Sequence, residues 1–203
     1  MDFENILKCN RCSLCKNQLP LLDKKTSADV FWVGLSAVRV ENVENEIPLC
    51  AKTNSGKLIC KIESSMKDIQ FYKTNIVKCL PLRDSKIRYP NSKEMSACYN
   101  HLIDEIKAFK PKIVFLLGKI ICDFVQKKEN ISPTKLHSNF EYKKFHILNT
   151  TIVPIHHPSY IQIYKRKQVD RYISALENIT MQCSGKLGLR PVFRRSGKGV
   201  FGR

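Results

Sequence analysis

The sequence predicts an α/β protein, a three-layer α/β/α domain around a mostly parallel four-stranded sheet. Four short apolar runs alternate with segments in which apolar residues recur at helical spacing, which is the pattern of parallel βαβ units. The runs are almost continuously apolar, as strands are when helices cover both faces of the sheet. A length of 203 residues is enough for one domain with a substantial core.

The elements follow the chain in a regular order. Strands are predicted at residues 30–34, 74–78, 112–117 and 151–155. Helices are predicted at about residues 55–67, 93–109, 118–125 and 168–179. The second helix has the clearest start, because Asn91 can cap it and Glu94 stands where a capping-box acid would. Residues 127–150 are polar and give only a weak indication of a hairpin.

The unusual polar residues follow the strands. In open α/β sheets, ligands bind outside the carboxyl ends of the strands. Those ends correspond here to Gly34, residues 75–79, Gly118 and residues 156–158. The sequence therefore predicts that one site collects these four segments.

Charge and composition indicate the partner. The net charge of +17 and the pI near 9.6 favour a polyanion such as DNA, although a solvated lysine-rich surface would have the same composition. No apolar run is long enough to span a bilayer, and the first residues do not form a signal peptide, so we expect a cytoplasmic protein without a membrane anchor. Nothing indicates an obligate protein partner, and we predict a monomer.

The last residues differ in composition from the rest. Residues 183–203 contain five of the eight glycines, six Lys or Arg and no acid. We interpret residues 1–182 as the folded domain and residues 183–203 as a basic, flexible tail, either without a function of its own or acting as a DNA-contacting arm.

Nine cysteines in a reducing compartment favour metal binding over disulfides. Cys79 follows a predicted strand and Cys98 lies in a predicted helix, while Cys9 and Cys12 form a pair near the amino terminus. Together they predict a four-cysteine site, in which Cys15 could replace Cys12. Four thiolates suit either zinc or a [4Fe-4S] cluster.

Several motifs occur together in one order: CNRC at residues 9–12, YKTNIVKC at 72–79, the helix with Cys98, PKIVFLLG at 111–118 and IHHPSY at 155–160. In this combination the chain resembles the uracil-DNA glycosylase superfamily, specifically its iron-sulphur-containing, family-4-like branch, over residues 9–179. The resemblance implies a DNA glycosylase with a [4Fe-4S] cluster held by Cys9, Cys12, Cys79 and Cys98; without it, zinc is the alternative.

The resemblance also implies roles for individual residues. His157 corresponds to the histidine that donates a hydrogen bond to O2 of the departing base. Asn75 corresponds to the asparagine that contacts the Watson–Crick edge of a flipped pyrimidine. Ser36 is placed in the base pocket, and Ser159 and Tyr160 on the DNA. Further phosphate contacts are expected from the basic loop after Cys79, at Arg83, Lys86, Arg88 and Lys93.

The first family motif is altered. Leu35 stands where the family has an acid directly after glycine, and Ala37-Val38 replaces the turn-forming Pro-Gly pair. Leu49 replaces the phenylalanine that stacks on the base. Glu41 aligns with the second acid of the motif and is the candidate for positioning the attacking water, with Glu44 and Glu46 as alternatives.

These matches and departures predict a monofunctional DNA glycosylase that leaves an abasic site, since no lysine matches a family nucleophile. The altered motif faces the ring and the 5-position of the base. We therefore predict a pyrimidine enlarged at C5, such as hydroxymethylated or glucosylated cytosine in phage DNA, and a role in bacterial antiviral defence. The alternatives are an ordinary uracil-DNA glycosylase of base excision repair and a non-catalytic DNA-binding protein. A zinc-ribbon protein with an unrelated α/β body is a further alternative.

Overall fold

A five-stranded sheet forms the centre of the structure, a computed structural model that describes residues 3–185. In chain order the strands are β1 (Val30–Ser36), β2 (Phe71–Val77), β5 (Ile113–Leu117), β6 (Phe145–Ile147) and β7 (Thr150–Ile155). Their spatial order is β2-β1-β5-β7-β6. The first four in space run parallel and β6 pairs antiparallel with β7. The predicted α/β class with a mostly parallel sheet is confirmed.

Helices cover both faces of the sheet. Their bounds are α1 (Glu4–Leu7), α2 (Asn54–Ser64), α3 (Ser92–Phe109), α4 (Lys119–Lys128), α5 (Pro158–Tyr164) and α6 (Val169–Cys183). The helices α3 and α4 pack on one face through residues such as Leu102 and Val125, and α2 and α6 pack on the other through Ile59 and Leu176. Every residue of β5 is buried, which explains its continuous apolar sequence.

Three details were not predicted. The edge strand β6 adds a fifth strand to the sheet, formed by the end of the polar segment 127–150. Within the basic loop, β3 (Leu82–Arg83) and β4 (Lys86–Ile87) form a small antiparallel hairpin. The third is α5, which begins directly after His157. These pieces are too short to produce a periodic apolar pattern, and tertiary contacts decide them.

The ends of the domain agree only in part with the predicted boundary. The last helix continues through Cys183, one residue past the predicted end of the domain. The rest of the predicted tail, from residue 186 onward, lies outside the described residues. No helix in the described part of the chain has the length and apolar character needed to cross a bilayer.

Candidate active site and cysteine-lined cavity

An open cavity of about 770 Å³ lies at the carboxyl ends of the parallel strands. Gly34 lines it from β1 and Asn75 from β2. Gly118 lines it from the residue directly after β5, and His157 from the second residue after β7. The structure thus brings together the strand-end segments that the sequence predicted. Of the predicted base- and DNA-contacting residues, it also contains Ser36, Leu49, Arg88, Ser159 and Tyr160.

Asn75 is held by its neighbour in the sheet. It is 3 % exposed and pairs in register with Gly34 of β1. A Cβ atom on residue 34 would overlap the Asn75 side-chain oxygen Oδ1 and touch the Leu49 side chain. Glycine at position 34 therefore leaves the space in which the Asn75 amide stands. An amide offers one acceptor and two donors, which can match the edge of a pyrimidine.

His157 is set as a hydrogen-bond donor. The backbone N–H of Ser159 donates to His157 Nδ1 at 3.4 Å, and the Ser159 hydroxyl lies 2.8 Å from the same nitrogen. Because Nδ1 accepts, the proton of the neutral ring is on Nε2. Burial lowers the pKa of His157, so the imidazole is neutral at neutral pH. Gly118, at φ +95°, packs against the histidine, with 3.1 Å between an added Cβ and His157 Cβ.

Leu49 is placed by the backbone around it. Its φ is +53°, a conformation that branched or bulky side chains rarely adopt. The first turn of α2 packs on this segment so closely that a Cβ on Gly56 would overlap the backbone carbonyl oxygen of Leu49. The half-buried Leu49 side chain therefore forms an aliphatic wall of the cavity. It takes the position where the family motif has a phenylalanine that stacks on the base.

The cavity has no acidic lining among residues 3–185. Glu41 is exposed and does not line it. Nor do the two alternatives: Glu44 pairs with Lys24 at the surface, and the half-buried Glu46 pairs with Lys52. The structure therefore does not bring the candidate water-positioning acid to His157 and Asn75. Hydroxyl groups line the cavity instead, from Ser36, Thr53, Ser55, Ser159 and the nearby tyrosines.

Exposed apolar side chains surround the mouth of this cavity. Tyr89 is 74 % exposed, Tyr164 71 % and Ile163 61 %. The group is completed by Val38, Ile87, Ile120 and Tyr160, and all seven line the cavity. Tyr160 stacks on His156, with 5.7 Å between the ring centroids and 15° between the planes. Exposed tyrosines of this kind can stack on nucleobases, because every base offers an apolar face.

The basic loop divides into two parts. Arg83 and Lys86 are exposed, at paired positions of the β3–β4 hairpin. Arg88 is half-buried, and its Nη1 lies 2.8 Å from Oε2 of Glu94. This acid also closes the predicted capping box of α3 with Asn91. Arg88 thus fastens the loop to the helix while it lines the cavity, whereas Arg83 and Lys86 are exposed to solvent. Lys93 is exposed in the first turn of α3.

His156, the neighbour of His157, belongs to the packing of the domain. Its Nδ1 lies 2.8 Å from the Tyr142 hydroxyl, and its ring packs against Phe140 and Tyr160. Burial lowers the pKa of His156. These contacts give His156 a structural role in the packing behind the cavity.

A second, small cavity lies just beyond the carboxyl end of β2 and is lined by cysteines. Cys79 and Cys98 are buried at its wall, and Cys9, Cys12 and Cys15 enter it from the amino-terminal segment. The Cys15 thiol donates to the backbone carbonyl of Cys12 at 3.3 Å, and the backbone N–H of Lys78 donates to Cys98 Sγ at 3.5 Å. All nine cysteines of the chain are free.

The donor set of this cavity suits a cluster. Burial, and then the neighbouring thiols, raise the pKa of Cys79 to about 12. Thiols that oppose one another's ionisation are stabilised as thiolates by the positive charge of a metal. No three or more His, Cys, Asp or Glu side chains of the described chain form a group that could hold a metal ion. Cysteine thiols are the ligands of both zinc and iron-sulphur clusters.

Comparison with known proteins decides the family. A family model described as the uracil DNA glycosylase superfamily matches residues 18–179. The chain belongs to this superfamily. The match covers the sheet, the cavity at its carboxyl ends and most of α6, so the predicted superfamily and fold class are both confirmed.

Three curated members of the uracil-DNA glycosylase superfamily are similar to this chain, and each is named type-4 uracil-DNA glycosylase. The protein of Archaeoglobus fulgidus is 24 % identical over 190 residues, which cover 89 % of this chain and 91 % of the relative. The protein of Saccharolobus solfataricus is 25 % identical over 77 % of this chain and 73 % of its own length. The protein of Sulfurisphaera tokodaii is 27 % identical over 77 % and 72 %. The predicted family-4 branch is confirmed by these names.

Sequence analysis of this uracil-DNA glycosylase superfamily member missed several cavity residues. Tyr89, Ile120 and Tyr164 were not predicted, because single exposed apolar residues carry no periodic signal. Tyr89 had a weak signal, an aromatic within a basic loop. Lys78 lies in the YKTNIVKC motif, but nothing local in the sequence predicts the buried contacts by which it connects both cavities.

Proposed function

We propose that this chain is a monofunctional DNA glycosylase that hydrolyses the N-glycosidic bond of a flipped pyrimidine. We further propose that its preferred base is a cytosine enlarged at C5 by a hydroxymethyl group or a sugar, as in phage DNA. One observation carries the proposal. The Asn75 amide and the His157 imidazole line one cavity, while an aliphatic side chain, Leu49, takes the place of an aromatic platform.

The chemistry needs a donor for the departing base. Cleavage builds positive charge on the sugar and negative charge on the base. His157, with its proton on Nε2, can donate to the pyrimidine O2 as that charge develops, which is the principle of an oxyanion hole. Asn75 would contact the Watson–Crick edge of the ring. A flipped base is required, because neither side chain could reach it inside a stacked duplex.

Water capture makes smaller demands on the protein. Once the base has left, the sugar is a strong electrophile, and water can add without a strong base. This is consistent with a cavity whose described lining has hydroxyls but no carboxylate. Glu41 stays our candidate for positioning that water, and it would need residues 38–47 to close toward bound DNA.

An enlarged base fits the size and lining of the cavity. The cavity volume of about 770 Å³ is larger than one pyrimidine ring occupies. Pockets of about 300–1,000 Å³ enclose drug-sized ligands. Ser36 and Ser55 supply hydroxyls that could hydrogen-bond a sugar attached to C5, whereas the Thr53 hydroxyl is engaged in the cap of α2. The exposed tyrosines of the rim can stack on sugar or base.

Two other functions have support. The names of the relatives favour uracil as the base, in ordinary base excision repair. The acid-free lining favours a DNA-binding protein without catalysis. Excess positive charge and the apolar rim fit DNA as the partner in every case. Action on phage DNA would place the protein in antiviral defence, as a cytoplasmic monomer.

The cofactor we propose is a [4Fe-4S] cluster, with zinc as the alternative. Cys9, Cys12, Cys79 and Cys98 would hold it, leaving Cys15 as the spare thiol. When bound it would join the amino-terminal segment to the end of β2 and to α3. We expect a brown, oxygen-sensitive protein when it is purified anaerobically. A colourless protein with one zinc per chain would exclude iron.

The substrate is tested by base release. Oligonucleotides that differ only in one base, carrying uracil, cytosine, hydroxymethylcytosine or glucosylated hydroxymethylcytosine, are incubated with the protein and then with alkali, which cleaves at abasic sites. We expect release of the enlarged cytosines to exceed release of uracil. Uracil release alone would show ordinary repair. Binding to all duplexes with no release from any would show the non-catalytic alternative.

A further inference from the structure

His101 is a buried histidine with no hydrogen-bond partner at Nε2 among the described residues. It is 2 % exposed and lies on α3, three residues after Cys98, so both side chains share one face of the helix. It lines the same small cavity as the five cysteines. Leaving a buried polar atom without a partner is unfavourable, so a partner at this position is expected.

The surroundings of His101 keep its ring neutral. Burial lowers its pKa, and the cations of Arg11 and Lys78 lower it further, against a smaller opposite effect of Asp104. A neutral imidazole carries one N–H donor and one acceptor nitrogen. Nε2 has no hydrogen-bond partner among residues 3–185, and His101 lines the same cavity as the cysteines.

We propose that His101 donates an Nε2–H hydrogen bond to a sulfur atom of the cluster held in the cysteine-lined cavity, and thereby raises the reduction potential of that cluster. Hydrogen bonds to cluster sulfurs withdraw electron density and are one of the ways in which proteins set this potential. Lys78 already places a backbone N–H 3.5 Å from Cys98 Sγ. His101, three residues from Cys98 on α3, would supply a second donor. The proposal rests on the proposed cluster and not on base release.

The main rival role is that of a ligand. An imidazole nitrogen could replace one thiolate, as histidine does in some iron-sulphur centres. The five thiols in the cavity already exceed the four that a cluster needs, which favours the donor role. The two roles differ in what happens when the nitrogen is removed. Loss of a donor leaves the cluster in place with a lower potential, whereas loss of a ligand removes the cluster or one of its irons.

The test uses anaerobically purified full-length protein and the variants His101→Phe and His101→Gln. Phenylalanine keeps the ring volume without a donor, and glutamine restores an N–H. Iron and acid-labile sulfide are measured per chain. The midpoint potential of the cluster is determined by redox titration, with dithionite as the reductant and ferricyanide as the oxidant. We expect full iron content in both variants, a lower midpoint in His101→Phe and partial recovery in His101→Gln. His146→Phe, at an exposed histidine of β6, is the matched control and should leave the midpoint unchanged.

An unchanged midpoint in a fully loaded His101→Phe protein would overturn the proposal, and so would a loss of iron in that variant or a protein that contains zinc alone. Pulsed EPR of the unsubstituted protein labelled with ¹⁵N-histidine gives an answer even if the variants fail to fold. We expect the weak nitrogen coupling of a hydrogen-bonded ring. The strong coupling of a directly bound nitrogen, or no nitrogen coupling, would contradict the donor role. Base release is assayed separately, so a failure of the proposed function would not affect this result.

Discussion

Lys78 donates a hydrogen bond from Nζ to the backbone carbonyl oxygen of Asn75, at 2.7 Å. The same nitrogen lies 2.6 Å from Glu105 Oε2, and Glu105 also accepts from the Tyr72 hydroxyl at 2.9 Å. Lys78 and Glu105 are 1 % and 0 % exposed. Because Lys78 lies directly before Cys79, this buried network connects the proposed cluster to the residue that lines the base cavity.

We predict that Lys78→Met destabilises the protein by about 3–5 kcal/mol, since it leaves the Glu105 carboxylate buried without its cation. The measurement is the urea unfolding midpoint. Adding Glu105→Met should recover most of the loss, because the double variant contains no unpaired buried charge. Lys61→Met, which removes an exposed ion pair with Asp170, is the control and should cost at most about 1 kcal/mol.

Base release depends in our proposal on His157. We predict that His157→Ala slows release by about a hundredfold or more, because one lost donor to a developing anion has this effect. Affinity for DNA should stay nearly unchanged, since the donor acts mainly in the transition state. His146→Ala is the control at an exposed histidine. Normal release by His157→Ala would show that this histidine is structural and that the mechanism is wrong.

Gly34 is expected to act through Asn75. We predict that Gly34→Ala slows base release, because the new Cβ displaces the end of the Asn75 side chain. The urea unfolding midpoint should change little. A double-mutant cycle separates this from a general effect. If Asn75 is the route, adding Gly34→Ala to Asn75→Ala costs little more. Fully additive losses of release would mean that the glycine acts elsewhere.

The cysteines are distinguished by their contacts. We predict that Cys98→Ser loses the metal and that Cys15→Ser retains it, because Cys98 is buried at the cavity wall while the Cys15 thiol donates to the Cys12 carbonyl. Metal analysis of anaerobically purified variants gives the measurement. Loss of metal from Cys15→Ser, with retention in Cys12→Ser, would transfer the ligand role to Cys15.

The sequence predicts the strongly patterned parts of this structure. The strands β1, β5 and β7 are almost wholly buried, so each can be recognised as an apolar run, and the Asn91–Glu94 capping box can be predicted from residue types alone. The position of Glu41 could not be predicted, because alignment places a loop residue in order but not in space. Nor could the partners of Arg88 and Lys78, which come from elsewhere in the chain, be derived from local pattern.

The altered first motif provides the test of substrate preference. We predict that Leu49→Phe shifts the preference from C5-enlarged cytosines toward uracil. A phenyl ring at this wall would fill space near Gly34 and supply a surface for stacking, which contributes about 1–3 kcal/mol per base. The two effects act in opposite directions on large and small bases, so the ratio of their release rates should change more than either rate. Because residue 49 has a positive φ, we expect Leu49→Phe to lose some stability. The matched control is Leu49→Met, which keeps an aliphatic side chain at the same backbone angle. An equal fall in both rates, with the ratio unchanged, would mean that Leu49 does not contact the base.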